Sequence, residues 1–248
     1  VWRLATDERL THIPVMQLDL GPDHRTAILR RMHGRLIAQF GRVIPPDDRR
    51  RDPMWTLVQG VIGARAKTAV SNDNTDRLIA EYGSWERVAE APLEELKAFL
   101  QTATFPAMAA ERLKACLQEI IAQRGKASLD HLASMETADA MAWLETLPGI
   151  ARKISAGIMN TSHFNRKALV LDSGHRRVVQ RMGLVAPKAD TTRAYDELMP
   201  LLPPEWSAED LDEHHLLGKR LAQTFCRPKR QYCPSCPVRA DCETGAAL

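Results

Sequence analysis

Four cysteines fall within seventeen residues near the end of this chain: Cys226, Cys233, Cys236 and Cys242, spaced C-x6-C-x2-C-x5-C. Four thiolates so close in sequence can close around one inorganic centre, and the rest of the chain must then form a scaffold that carries such a loop. Three readings compete. Disulfides need an oxidising compartment, and the opening Val1-Trp2-Arg3-Leu4 has no signal-peptide pattern. Structural zinc usually takes two close cysteine pairs separated by a longer spacer. Only Cys233-Pro234-Ser235-Cys236 makes such a pair. An iron–sulfur cluster also takes four thiolates from a compact loop. On spacing alone, zinc and iron–sulfur stand level.

The scaffold reads as all-α. The chain has 248 residues, 44% hydrophobic and only 5% aromatic. Leu, Ala, Arg and Glu dominate and β-branched runs are rare, which favours helices over sheets. The longest strand-like stretch, Ala168–Leu171, is too short to build a sheet. Apolar spacing predicts helices over Asp23–Phe40, Met54–Ala64, Ala69–Tyr82, Leu93–Leu100, Ala107–Gln123, Leu129–Ser134, Ala138–Thr146, Ala151–Asn160, Ser173–Met182, Tyr195–Leu202 and Ala208–Thr224. Gly83-Ser84, Gly125 and Pro203-Pro204 mark breaks, and Pro45-Pro46 a connector. Residues 1–20 read as irregular. Two helical lobes are expected, with the active site in the cleft between them. One lobe is central, over 46–165. The other is discontinuous, over 1–45 and 166–248, and carries the cysteine loop 226–242. No apolar run reaches the length of a membrane span. The expected protein is intracellular, with reduced thiols, and Cys116 is a buried structural thiol.

A second motif lies mid-chain: Leu147-Pro148-Gly149-Ile150-Ala151-Arg152-Lys153. Pro148 and Gly149 force a tight turn between two predicted helices. Such a hairpin aims backbone N–H groups outward at a helix N-terminus, a geometry that binds phosphate without reading sequence. A plain interhelical turn is the competing account. Lys153 lies in the first turn of the second helix, where the helix field and partial burial lower its pKa. A neutral lysine can attack an electrophilic carbon and form a Schiff base; otherwise it is a solvated or phosphate-binding lysine. Nineteen residues later, Asp172 precedes another helix. Its default role is an N-cap. A carboxylate near a lysine amine also suits stabilising positive charge at a sugar carbon or moving a proton.

Net charge is only +3, so composition does not establish a nucleic-acid partner. Distribution says more. Basic residues cluster at Arg49–Arg51, at Arg176, Arg177 and Arg181, and at Arg227, Lys229 and Arg230 inside the first cysteine interval. Solvated surface runs are the alternative. His214 and His215, adjacent on a predicted helix, point in different directions and make a poor metal pair.

Together these elements resemble the endonuclease III family of DNA glycosylases, with its helix-hairpin-helix, later aspartate and terminal cysteine loop. The motif L-P-G-x-x-x-K followed by [VL]-D-x-x-x-x-R-V reads here as Leu147 through Lys153, then Leu171-Asp172 through Arg177-Val178. The four cysteines match the family's loop without a gap, and the resemblance spans about Asp52 to Glu243. It implies a [4Fe–4S] cluster on Cys226, Cys233, Cys236 and Cys242. It implies Lys153 as the nucleophile at C1′ and Asp172 as stabiliser of the sugar cation. The partner implied is double-stranded DNA with a damaged or abasic nucleotide, bound by a cytoplasmic, nucleoid-associated monomer without membrane contact. The hairpin residues Leu147, Pro148, Gly149, Ile150 and Ala151 would hold the DNA backbone, with Arg227, Lys229 and Arg230 adding positive charge and His175 contacting DNA beside the active site. The target base would be flipped out before attack.

The chain also departs from that family. Arg65 stands where a glutamine usually helps fill the space left by the flipped base; arginine offers only donors and favours an acceptor-rich orphan base such as guanine. Gly60 stands where the adenine-excising branch carries a catalytic glutamate. The implied function is a glycosylase and abasic-site lyase acting on oxidised or otherwise damaged pyrimidines. The alternatives are a monofunctional mismatch or modified-base glycosylase of the same fold, and a non-catalytic iron–sulfur DNA-binding protein.

Overall fold

The computed structural model describes residues 21–43, 50–63 and 66–247. Among them are twelve α-helices and no strand: α1 (Gly21–Phe40), α2 (Pro53–Ile62), α3 (Thr68–Tyr82), α4 (Trp85–Glu90), α5 (Leu93–Phe99), α6 (Pro106–Arg124), α7 (Thr137–Glu145), α8 (Arg152–Thr161), α9 (Ser173–Arg181), α10 (Thr191–Leu198), α11 (Ala208–Thr224) and α12 (Glu243–Ala246). Residues 1–20, the Pro45-Pro46 connector, Arg49 and Arg65 lie outside the described residues.

Local chemistry sets most helix ends. The Asp52 carboxylate accepts from the amides of Met54 and Trp55, and Pro53 occupies the first helical position of α2. Gly83 closes α3 at φ 75° and Gly125 closes α6 at φ 74°, the left-handed region that glycine enters at no steric cost. Ser84 then caps α4, and Ser207 with Asp210 forms a reciprocal capping box on α11. The six-residue α4 and four-residue α12 were not predicted. Both are shorter than the span over which helical periodicity can be read. Leu129–Ser134 forms a single 3-10 turn (Asp130–Ser134), and α10 starts earlier than predicted because Asp190 caps it. Ala168–Leu171 is buried but pairs with no strand.

Packing places α8 at the middle. α2 packs on α3, α6 and α8, α4 and α5 pack on α6, and α7 packs on α8. α11 packs on α1, α8 and α9, while α10 touches α8 and α9. Leu29, Met32 and Leu36 of α1 are fully buried, with Ile28 and Ile37 at the margin of that face. The approach of α9 to α11 depends on Gly218: a Cβ there would stand 2.7 Å from the His175 ring. No described helix is long and apolar enough to cross a membrane.

Candidate active site

The hairpin joins α7 to α8. Gly149 takes φ 82°, a conformation that a residue with a side chain rarely adopts, and Ala151 is the N-cap of α8. Arg152 clamps the turn. Its Nε donates to Glu145 Oε1 at 2.6 Å, its Nη1 reaches Asp196, and its guanidinium lies 4.9 Å over the Tyr195 ring. Ser155 donates to the same Glu145 oxygen at 2.6 Å. Lys153 is therefore carried on a first turn fixed from three sides. Leu147 and Ile150 are core residues, whereas Pro148, Gly149 and Ala151 are exposed. The outward face of the hairpin is thus mainly backbone.

Lys153 opens into a cleft of about 420 Å³ that Asp172 also lines. The amine has solvent access, yet protein surrounds it on the concave wall. Burial lowers its pKa, the Asp172 charge pulls it back up and Lys219 lowers it again; the net direction is down. Asp172 is both the cap and a cleft group. Its Oδ1 accepts the His175 backbone N–H at 2.7 Å, capping α9. Burial pushes its carboxyl up, but the charges of His215 and Lys219 and the His175 amide outweigh that, and its pKa falls below the ordinary value.

His215 and Lys219, one turn apart on α11, line the same cleft, as do Gln59 of α2 and Asn72 of α3. Lys219, Gln59 and Asn72 were not singled out from the sequence, and His215 was read there only as half of a poor metal pair. The i, i+4 spacing of His215 and Lys219 was the available signal. Gly60 also lines the cleft, and a Cβ there would stand 2.8 Å from Ile154 Cγ2. A larger side chain at 60 would require Ile154 to move.

His175 is a correction. Its ring is fully buried against His214, with ring centroids 5.1 Å apart, so it presents no surface to DNA. Burial lowers its pKa to about 4. His33, His214 and His215 are also buried with lowered pKa values. The α9 arginines are tethered as well. Arg177 donates to the Cys226 carbonyl at 2.8 Å, and Arg181 donates to the Arg227 carbonyl at 2.9 Å and approaches Cys226 Sγ at 3.3 Å. They hold the cysteine loop to α9. Arg227, Lys229 and Arg230 are exposed, with Arg230 stacked 4.9 Å over Tyr232.

Cys226, Cys233, Cys236 and Cys242 line one cavity whose other walls include Val178, Met182, Leu221 and Val238. Among the described residues, no three His, Cys, Asp or Glu side chains converge as a site for a single metal ion. Burial raises the Cys236 and Cys242 thiols, and the neighbouring cysteine charges raise them further. Sulfurs so gathered repel as thiolates unless a cationic centre joins them. Four thiols lining one cavity are a donor set of the kind that a four-thiolate inorganic centre takes. Cys116 is buried elsewhere, its thiol pushed up to about 12 by burial.

Residues 58–204 match the HhH-GPD superfamily base excision DNA repair protein family. Endonuclease III of Haemophilus influenzae is 26% identical over 192 residues, 77% of this chain and 83% of that protein. Endonuclease III of Escherichia coli K12 is 24% identical over the same shares. Among solved structures, a trapped endonuclease III–DNA covalent intermediate superposes with a TM-score of 0.68 at 21% identity, covering 90% of this chain and 97% of that one. A thermostable thymine-DNA glycosylase gives 0.68 at 18% identity over the same shares. These structures share its all-helical fold. The matched stretch contains the hairpin, Lys153 and Asp172, and on that match the chain belongs to the HhH-GPD superfamily of base excision DNA repair proteins.

Proposed function

We propose that this protein excises damaged pyrimidines from duplex DNA and cleaves the resulting abasic site through a Schiff base on Lys153. The observation that carries the reading is Lys153 and Asp172 lining one cleft, with the amine's pKa lowered. The neutral amine attacks C1′ as the glycosidic bond breaks, and the base leaves with the bonding electrons and takes up a proton. Loss of a proton from nitrogen and opening of the sugar ring give the Schiff base, from which β-elimination expels the 3′ phosphate. Asp172, its Oδ1 tied to the α9 amide, stabilises the cationic sugar. The exposed backbone of the hairpin holds a phosphate at the start of α8.

The cleft is read as lying between the 46–165 lobe and the lobe formed by 1–45 and 166–248. Cys226, Cys233, Cys236 and Cys242 would hold a [4Fe–4S] cluster, which would supply a structural cross-link and a surface that presents Arg227, Lys229 and Arg230 to DNA. Trapping of an endonuclease III on DNA as a covalent intermediate supports the same chemistry here. The test is borohydride reduction with duplexes carrying an oxidised pyrimidine or a preformed abasic site. A covalent protein–DNA adduct on both is expected. Base release without any adduct would favour the monofunctional reading.

A further inference from the structure

Two amines share the cleft with a single carboxylate. Lys153, Lys219 and Asp172 all line it, and the other charged side chain on its described walls, Arg51, lies 3.7 Å from Asp76. Neither lysine has a carboxylate within salt-bridge distance among the described residues. The Lys219 Nζ lies 3.5 Å from Thr68 Oγ1, in the first turn of α3. That end of a helix disfavours a cation, so the contact does not account for the charge being there.

Asp172 creates a conflict inside the cleft. A carboxylate that stabilises a sugar cation also stabilises a protonated lysine. An ammonium has no lone pair with which to attack C1′. Burial is the largest influence on Lys153 and lowers its pKa, Asp172 raises it, and the charge of Lys219 acts in the same direction as burial. No other group facing Lys153 can do this. Glu145 of α7 and Asp196 of α10 are tied to Arg152, which also covers Tyr195. His215 of α11 is buried, its pKa lowered to about 3, and so is neutral at neutral pH. From α2 and α3 the cleft receives only uncharged side chains, and the exposed Lys67 before α3 is not among its walls.

We propose that Lys219 is a positioning residue for the lysine chemistry: a second positive charge, carried on α11, that leaves the Lys153 amine unprotonated beside an ionised Asp172. The proposal rests on the Schiff-base reading given above, and it concerns the amine and not the base that leaves. Lys219 forms no bond to the sugar. It acts only through Lys153, whose proton passes to solvent through the open cleft before attack. The two lysines thus divide the work, one as nucleophile and one as the charge that keeps it a nucleophile in the presence of Asp172.

The experiment uses the full chain and a duplex with one preformed abasic site, so that no base is involved. Schiff-base formation is followed at single turnover, with saturating protein, from about pH 5.5 to about pH 9.5. Aliquots are quenched into borohydride at one fixed pH, and duplex affinity is measured alongside. In the wild type the rate should rise with pH along an acid limb that reports Lys153. Lys219→Met should move that limb up by about one pH unit, so that the rate falls about ten-fold below the limb and reaches the wild-type value above it. Lys219→Gln, which can still hydrogen-bond to Thr68, should show the same shift. Lys219→Arg keeps the charge and should restore the wild-type limb. Three results overturn the proposal: an equal loss of rate at every pH, a limb that stays in place while duplexes bind more weakly, and a limb moved as far by Lys219→Arg as by Lys219→Met. They would mark a packing role, a phosphate contact and a need for the lysine's shape. A wild type without an acid limb overturns it as well. A wild type that is never trapped overturns the lysine chemistry and this proposal together. Failure to release any damaged base from a lesion duplex would overturn only the excision reading, and the limb would still decide the role of Lys219.

Discussion

The cysteine-lined cavity takes its four sulfurs from seventeen consecutive residues, whereas the cleft takes its polar groups from five separate segments: α2, α3, α8, the residue before α9, and α11. The first is walled by the cysteine loop itself with Val178 of α9 and Leu221 of α11, and it is anchored by Arg177 and Arg181. The second is polar, and in it the charges of Asp172 and Lys219 both act on Lys153. A contiguous loop can hold its donors with little help from distant parts of the chain. A catalytic cleft must bring an amine and a carboxylate together against their cost of desolvation, which only packed helices can do. The two regions should therefore fail differently when they are broken.

The largest effect is expected in the cleft. Lys153→Gln should abolish borohydride trapping while the protein still binds duplex DNA, measured by gel shift. An adduct that survives would move the nucleophile elsewhere. Asp172→Asn should slow base release by about 10²–10⁴-fold. The neutral amide can still cap α9, so the thermal midpoint should change much less than the rate. Equal loss of both would make Asp172 a structural cap only.

Breaking the other region should reverse that pattern. Cys236→Ser should remove visible absorbance from the purified protein and lower its thermal stability and DNA affinity together, with no selective loss of the chemical step. A colourless wild type that contains one zinc and retains full activity would refute the iron–sulfur assignment.

Between the two regions stand the buried histidines. Their folded pKa values are depressed, to about 4 for His175 and about 3 for His215. A depressed histidine contributes stability that is fully present above its unfolded pKa, near 6.5, and is lost as pH falls toward the folded value. Urea midpoints should therefore drop between pH 6.5 and pH 4, as the unfolding free energy falls by on the order of 3 kcal/mol for His175 alone. His175→Leu should flatten part of that slope. The smallest effect is expected at the exposed rim. Neutralising Arg227, Lys229 and Arg230 should weaken all duplexes alike. It should also make the log–log salt dependence shallower, by about 0.9 for each phosphate no longer neutralised. Weakening confined to one DNA sequence would mean that these residues read bases.

The sequence by itself determined the helical class, the hairpin and the four-cysteine loop. Each is a short-range pattern: apolar residues at helical spacing, Pro148-Gly149 with its required left-handed glycine, and thiols a few residues apart. It also marked Lys153 and Asp172, because their positions follow the hairpin and precede a helix. Tertiary structure alone decided which side chains join them. His175 looked accessible beside Asp172, but the missing side chain of Gly218 lets α11 close over it. Arg177 and Arg181 of α9 looked free for DNA, but they are used to bind the cysteine loop. Lys219 stands far from Lys153 in sequence, and only the packing of α11 on α8 brings the two amines to one cleft. Burial and hydrogen-bond direction are properties of packed neighbours, and a linear pattern carries them only where those neighbours are also adjacent in sequence.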